Sequence, residues 1–277
     1  AQARLSSFSS ETLLSLAVAV AKVPAIGAIF PAVLQAATKV LDAWPVADFV
    51  KLMLAAMKGR EHLPQDARDA LLAKAEPVLT PKLADLSAAD IVKVVLAVSG
   101  HGTSKLMEAT AKEAVIRLSD YAPAQLLLVT QGLARGLPSG HESHLQLLKF
   151  WPELLNRIAV QSTAGSSAGS TQLSADQLAK LATAVAPLLA GNPVEASKEV
   201  QAARKRLVNT LGSKLLAQAP EVSEANRQPL AAQLLPDGPF GSFAKRNTLR
   251  GAVLRPKRSR SRDAGPAVAG AAEAGAA

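Results

Sequence analysis

Five passages of this chain repeat one spacing of apolar and small residues, and this repetition limits the possible fold more than any other feature. Each passage has a large apolar residue at an anchor position and an apolar residue three positions later. A very small residue follows six positions after the anchor, and an apolar residue stands at seven. Large residues at zero, three and seven lie along one stripe of an α-helix, so the passages predict five helices of one kind.

The equivalent positions of the five passages carry closely related residues. The anchors are Leu13, Phe49, Ile91, Leu126 and Leu178. The apolar residues three positions on are Leu16, Leu52, Val94, Val129 and Leu181. The small residues are Ala19, Ala55, Ala97, Gly132 and Ala184. We expect the small residue to allow a neighbouring helix to approach closely, so a bulky side chain there would force the two helices apart.

A second helical pattern follows each passage, and the two together predict a helix pair. The second patterns cover residues 28–44, 65–79, 104–121, 141–160 and 193–215. Ser87 and Ser174 each precede an acid or amide by three residues, which is typical of a helix N-cap, and Asn192 before Pro193 indicates another helix start. The predicted fold is all-α, an α-solenoid of about five helix-turn-helix repeats with an irregular basic C-terminal tail.

The predicted organisation has four segments. Residues 1–160 hold repeats one to four, residues 161–172 form a Gly/Ser-rich loop, residues 173–216 form the fifth repeat, and residues 217–277 form an extended basic tail. The anchors are separated by 36, 42, 35 and 52 residues. Proteins that recognise RNA one base per repeat need a constant rise, so this irregular spacing favours recognition of shape or surface.

Positive charge is concentrated near the C-terminus. The chain has 31 Lys and Arg against 22 Asp and Glu, and residues 245–262 contain eight cations and no acid. The predicted RNA-binding residues are Arg204, Lys205, Arg206, Lys214, Lys245, Arg246, Arg250, Arg255, Lys257, Arg258, Arg260 and Arg262. Three other interpretations stay open: a solvated helix face for residues 204–214, a solubilising tail, and a contact of the tail with anionic lipid.

The sequence offers no residues that indicate catalysis, and we expect a protein that is not an enzyme and binds no cofactor. The chain has no cysteine, and no phosphate-binding glycine loop is present. His141 and His144 stand three residues apart, which is not the spacing of a zinc protease, and we assign them to a helix start rather than a metal site. The apolar run at residues 13–34 is interrupted by a lysine, a glycine and two prolines, so we expect no transmembrane span.

Two passages carry a family resemblance. L-S-A-A-D-I-V-K-V-V-L-A-V-S-G-H-G, residues 86–102, and L-S-A-D-Q-L-A-K-L-A-T-A-V-A-P-L, residues 173–188, open with the same pattern. This pattern resembles the degenerate helical repeats of octotricopeptide, heptatricopeptide and RAP or FAST-kinase-like organellar proteins, over about residues 9–215. The resemblance implies a role in organellar RNA metabolism or in the ribosome. The C-terminus shows no RAP domain, and no active-site residue of these families can be transferred.

These observations together predict a structural RNA-binding subunit of an organellar ribosome. We expect a mitochondrial matrix protein, with the chloroplast as the second location. Its partners would be rRNA and neighbouring ribosomal proteins in a large assembly, without a small-molecule substrate. Two alternatives stay open: a free organellar factor for RNA maturation or stability, and a non-RNA scaffold subunit of a mitochondrial ATP synthase or respiratory complex.

Overall fold

The computed structural model describes residues 2–5, 7–41, 44–100, 104–163, 173–190 and 197–254. Within these ranges the regular elements are helices and there is no strand, which confirms the predicted all-α class. The α-helices are α1 (Gln2–Leu5), α2 (Ser10–Val20), α3 (Phe30–Lys39), α4 (Val46–Lys58), α5 (Gln65–Leu79), α6 (Ala88–Val98), α7 (Lys105–Ile116), α8 (Pro123–Gly136), α9 (Glu142–Thr163), α10 (Ala175–Leu189), α11 (Lys198–Gln218), α12 (Glu224–Gln233) and α13 (Arg246–Leu254).

The helices from α2 to α13 pack in two rows. Each even-numbered helix contacts the next even-numbered helix, and each odd-numbered helix contacts the next odd-numbered one. Each even-numbered helix also contacts the odd-numbered helix that follows it. A continuous apolar core joins the two rows, because each helix turns its apolar stripe toward the other helices. We refer to these as the even row and the odd row.

Three of the even-numbered helices, α2, α6 and α10, begin with a serine N-cap. The backbone N–H groups of Thr12, Asp90 and Gln177 donate to the Oγ atoms of the serines three residues earlier, at 3.2, 3.1 and 3.2 Å. These contacts confirm the predicted N-caps at Ser87 and Ser174. An apolar residue precedes the cap, at the N′ position, and is buried from α4 onward: Trp44, Leu86, Tyr121, Leu173 and Val222.

The repeated apolar positions form the core of the even row. All five predicted anchors are at most 2 % exposed. Gly132 confirms the expected role of the small position in α8, since a Cβ atom there would overlap Cγ1 of Val95 on α6. The close approach of α6 and α8 therefore depends on the absence of a side chain at this position.

The second helix of each pair lies close to its predicted range. The range of α5 agrees with the prediction, whereas α9 continues to Thr163, beyond the predicted end at residue 160. α11 begins at Lys198, and the Val200 N–H donates to Oγ of Ser197 at 3.3 Å, so Ser197 is its N-cap. The predicted cap at Asn192 and most of the predicted loop, residues 164–172, lie outside the described residues.

The structure differs from the predicted extended tail over residues 219–254. This segment contains α12 and α13, and six of its large apolar residues are at most 6 % exposed: Leu230, Leu234, Phe240, Phe243, Leu249 and Val253. The anchor position of α12 is occupied by Arg227, so the spacing that identifies the other five helices is interrupted there. The predicted RNA-binding residues at 255–262 lie outside the described residues.

Candidate nucleic-acid interface

The contact between α11 and α13 brings two cationic segments together at one end of the odd row. Gly212 of α11 lies against the Phe243 ring, since a Cβ atom there would stand 2.9 Å from ring atoms. Phe243 precedes Lys245 and α13 by only a few residues. The cationic residues 245–250, which follow Phe243, therefore lie beside the cationic helix α11, although the two segments are separated in sequence.

A groove of about 590 Å³ lies between α11 and the loop that joins α12 to α13. Arg204 and Lys205 line the α11 side, and Gly241 lines the loop side. The Arg246 Nη1 donates to the carbonyl oxygen of Gly241 at 2.8 Å, which holds this guanidinium beside the loop. Asp237 is the one carboxylate among the described residues that line the groove, so its charge is predominantly positive.

Most of the predicted cations in this region are accessible to a ligand. Lys205, Lys245 and Arg250 are exposed, and Lys214 and Arg246 are partly exposed. We call Lys205, Arg206, Lys214, Lys245, Arg246 and Arg250 the α11–α13 basic surface. A surface of this kind binds phosphate groups through charge and hydrogen bonds, without base recognition.

Arg206 is an exposed member of this surface with an acidic neighbour. Its Nη1 lies 3.9 Å from Oε1 of Glu153 on α9, and both side chains are at least half exposed. An exposed ion pair of this geometry contributes only about 0–1 kcal/mol. The guanidinium can therefore exchange Glu153 for a phosphate at little cost.

Arg204 also has a structural contact. Its Nε donates to the carbonyl oxygen of Leu188 at 3.0 Å, at the C-terminal end of α10. The carbonyl groups at a helix C-terminus attract cations. Burial of the side chain lowers the pKa of the Arg204 guanidinium from its ordinary value. Arg204 thus connects α11 to α10 through this hydrogen bond. Binding of RNA by Arg204 stays a prediction.

The two histidines at the start of α9, His141 and His144, pack against each other and against α8. The ring centroids of His141 and His144 are 6.1 Å apart, and Nε2 of His144 lies 3.2 Å from the carbonyl oxygen of Leu133. Burial lowers the pKa of the His144 imidazole.

Within the described ranges, no three or more Asp, Glu, His or Cys side chains are grouped to hold a metal ion. No helix in these ranges has the length and apolar character required to cross a membrane.

A second groove, which the sequence analysis did not identify, lies across α8, α10 and α12 and has a volume of about 600 Å³. Arg135 and Lys180 line it, and the described lining contains no carboxylate. Both cations are isolated in the sequence, and only the packing of alternate helices brings them into one groove. The available sequence signal is that α8 has no acid and that the single acids of α10 and α12, Asp176 and Glu224, lie in the first helical turn.

Comparison with known proteins gives no relative for this chain. No family model, no curated protein and no solved structure matches it. The resemblance to organellar repeat proteins therefore depends on the repeated spacing alone. A functional assignment depends on the charges and contacts described above.

Proposed function

We propose that the protein is an RNA-binding helical-repeat scaffold that serves as a structural subunit of an organellar ribosome, in the first instance the mitochondrial one. In this proposal the two rows are an α-solenoid, with each even helix and the following odd helix as one unit. The shared positions of the N′ residue, the N-cap and the anchor in successive even helices support this arrangement. Helices α12 and α13 would form a sixth unit beyond the five expected from the sequence.

The α11–α13 basic surface is the observation that carries the proposal. Residues 245–254 contain three cations and no acid, and they pack beside the cationic α11. RNA phosphates bind such a surface with release of counterions, and the affinity then falls steeply with salt. Aromatic residues make up only 3% of the chain, which disfavours base stacking as the main source of affinity. The proposed binding is therefore directed at the RNA backbone.

Charge reversal tests the basic surface directly. We expect Lys205→Glu, Lys245→Glu and Arg250→Glu together to weaken binding of the full chain to a structured rRNA fragment. The slope of log affinity against log salt should fall by about 2–3. Lys82→Glu, Lys105→Glu and Lys112→Glu provide a control with the same change in net charge. These lysines are also exposed, but Lys82 lies in the short segment between α5 and α6 and the other two lie in α7, outside the α11–α13 basic surface. Equal losses for the two triple variants would contradict a localised interface.

Sedimentation tests the proposed assembly. The tagged protein from detergent-solubilised organelles should migrate with a ribosomal subunit and move to light fractions after RNase treatment. Migration with a heavy, RNase-resistant membrane complex would contradict the proposal and favour the scaffold alternative. Migration in light fractions with and without RNase, together with binding to a defined transcript, would favour a free RNA factor.

A further inference from the structure

The groove across α8, α10 and α12 differs in charge from the equivalent positions of the earlier even helices. In α4 and α6 the residue before the anchor is an acid, and the residue two positions after the anchor is a lysine. Nζ of Lys51 lies 2.8 Å from Oδ1 of Asp48, and Nζ of Lys93 lies 2.6 Å from Oδ1 of Asp90. Each of these lysines is therefore paired with an acid of its own helix.

The acid of this pattern is replaced by an amide in the three helices that form the groove. The residues before the anchors are Gln125, Gln177 and Asn226. In α10 the lysine of the pattern is present, as Lys180. Oε1 of Gln177 accepts a hydrogen bond from the Ser174 N–H at 2.9 Å, so this amide supports the start of α10 without a negative charge. Lys180 consequently lacks the partner that Lys51 and Lys93 have.

The two cations that line the groove have no carboxylate partner among the described residues. Lys180 and Arg135 are both exposed, and neither forms an ion pair with a described residue. The one acid of α10, Asp176, stands a helical turn before Lys180, but its Oδ1 accepts a hydrogen bond from the Ser223 N–H at 2.8 Å. The described part of the groove therefore attracts an anion and presents no carboxylate of its own.

The remaining lining indicates which kind of anion fits. Leu128 is 38 % exposed, and Pro187 and Pro229 also line the groove and are exposed. Pro187 has no N–H, so the Thr183 carbonyl, four residues earlier in α10, lacks its usual helical donor. The described lining has no aromatic side chain on which a base could stack. Aliphatic side chains and backbone N–H groups complement these features, and a polypeptide has both whereas a phosphodiester backbone has neither.

We propose that the groove across α8, α10 and α12 binds an acidic peptide segment of a partner protein. Its carboxylates would pair with Arg135 and Lys180, and its aliphatic side chains would pack on Leu128. The stretches of this sequence outside the described residues do not match this chemistry. Residues 164–172 and 191–196 hold one acid between them, and residues 255–277 hold five cations against two acids. The inference uses no residue of the α11–α13 basic surface, so it does not depend on RNA binding.

Selection from a displayed library of random peptides on the complete protein tests the preference of the groove. We expect the selected peptides to be enriched in Asp and Glu together with Leu, Ile or Val, and to be released by salt. Arg135→Glu with Lys180→Glu should abolish this enrichment. Lys82→Glu with Lys112→Glu makes the same change in net charge outside the groove and should keep it. No enrichment, enrichment of basic or uncharged peptides, or equal loss in the two double variants would overturn the inference.

Gln177→Asp gives an independent measure, because it places an acid where α4 and α6 have one. The start of α6, where the Asp90 N–H donates to Oγ of Ser87, shows that a helix of this kind accepts aspartate at this position. We expect the dissociation constant of a selected peptide to rise about three- to fivefold, since the new carboxylate competes for Lys180. Gln228→Asp is the matched control at an exposed amide that does not line the described groove, and it should leave the constant unchanged. Fluorescence anisotropy measures both constants, and equal values for Gln177→Asp and the parent chain would overturn the inference.

Two further measurements distinguish a partner peptide from other occupants. The variant with Arg135→Glu and Lys180→Glu should bind the rRNA fragment as the parent chain does, and a loss of RNA affinity would overturn the inference. A photoreactive residue at position 183 of the complete protein, expressed in its own cells and treated with RNase, should crosslink to an acidic segment of another polypeptide. A crosslink to this chain itself, to RNA or to a segment without acids, or no crosslink, would overturn the inference. Unchanged RNA binding after charge reversal of the α11–α13 basic surface would contradict the proposed function and leave this inference intact.

Discussion

Arg227 occupies a position where the five preceding even helices have a large apolar anchor. It is 7 % exposed, and two of its nitrogen atoms donate hydrogen bonds. Its Nε donates to the carbonyl oxygen of Val222 at 3.0 Å, and its Nη1 donates to Oε2 of Glu224 at 2.9 Å. The aliphatic part of the side chain fills space in the core while the guanidinium binds groups at the start of α12.

Two substitutions separate the packing of Arg227 from its hydrogen bonds. We expect Arg227→Ala to lower the free energy of unfolding by about 1–3 kcal/mol, because space is left empty and the Val222 carbonyl loses its donor. Arg227→Leu should cost less, because it restores the apolar anchor and removes a charge from a buried position. Chemical denaturation measures both values. A greater loss for the leucine variant would contradict this assignment.

Asp176 connects the starts of α10 and α12. Its Oδ1 accepts a hydrogen bond from the Ser223 N–H at 2.8 Å, and this bond is the main cause that lowers the pKa of the Asp176 carboxyl. A pKa that is lower in the folded state than in the unfolded state stabilises the fold above the unfolded pKa, about 4. That contribution is lost as the pH falls through the folded pKa.

The pH dependence of Asp176→Asn tests this contact. We expect the variant to be less stable than the parent chain at about pH 7, with a smaller difference at about pH 3, because the parent carboxylate is then becoming protonated. Urea denaturation at the two pH values measures the difference. A difference that is constant with pH would show that the charged form of Asp176 contributes nothing specific.

At the scale of elements, the distance between α6 and α8 depends on Gly132. We expect Gly132→Ala to lower the free energy of unfolding by about 1–3 kcal/mol, because the new methyl group overlaps Val95 and the helices must shift. Gly251→Ala in α13 is the matched control. A Cβ atom there meets no atom within 4 Å, and removing a helical glycine should stabilise the chain by about 0.5–1 kcal/mol. Denaturation curves measure the free energy of unfolding of both variants. If both variants are less stable than the parent chain, or both are more stable, this account is contradicted.

The elements also show where sequence periodicity succeeds. Helices α6 and α10 follow from their serine caps and apolar stripes, because both signals depend on residues within one or two turns. Helix α12 has a serine at its N-cap position, and Leu230 and Leu234 at the expected spacing. Its anchor is an arginine, and a pattern that requires an apolar anchor cannot detect it. The burial of Arg227 depends on partners that only the folded chain provides.

At the scale of the whole molecule, α12 and α13 complete the C-terminal end of both rows. We expect a chain that ends at Gln218 to unfold at a temperature about 10 °C or more below that of a chain ending at Leu254, because it loses the cover of α10 and α11. Differential scanning calorimetry of the two chains measures this change. Equal unfolding temperatures would mean that α12 and α13 contribute no stability. That result would support the extended tail that the sequence predicts for these residues.

Only part of the candidate interface could be predicted from the sequence. Lys245, Arg246 and Arg250 are identified by local charge density, which needs no structure. The contact of Gly212 with Phe243 sets them beside α11, and no spacing in the sequence indicates it. The same applies to Arg204, whose bond to Leu188 depends on where α10 ends. Whether these cations bind RNA is a question for the salt-dependence and sedimentation experiments.

The sequence by itself determined the helical class, the starts of α6 and α10 and the buried anchors of five even helices, because helix periodicity and capping are local properties of the chain. Only the tertiary structure decided that residues 219–254 contain two packed helices and that α13 lies beside α11. These features depend on which neighbour covers each residue. Neighbours of that kind are separated by tens of residues, and local patterns do not specify them.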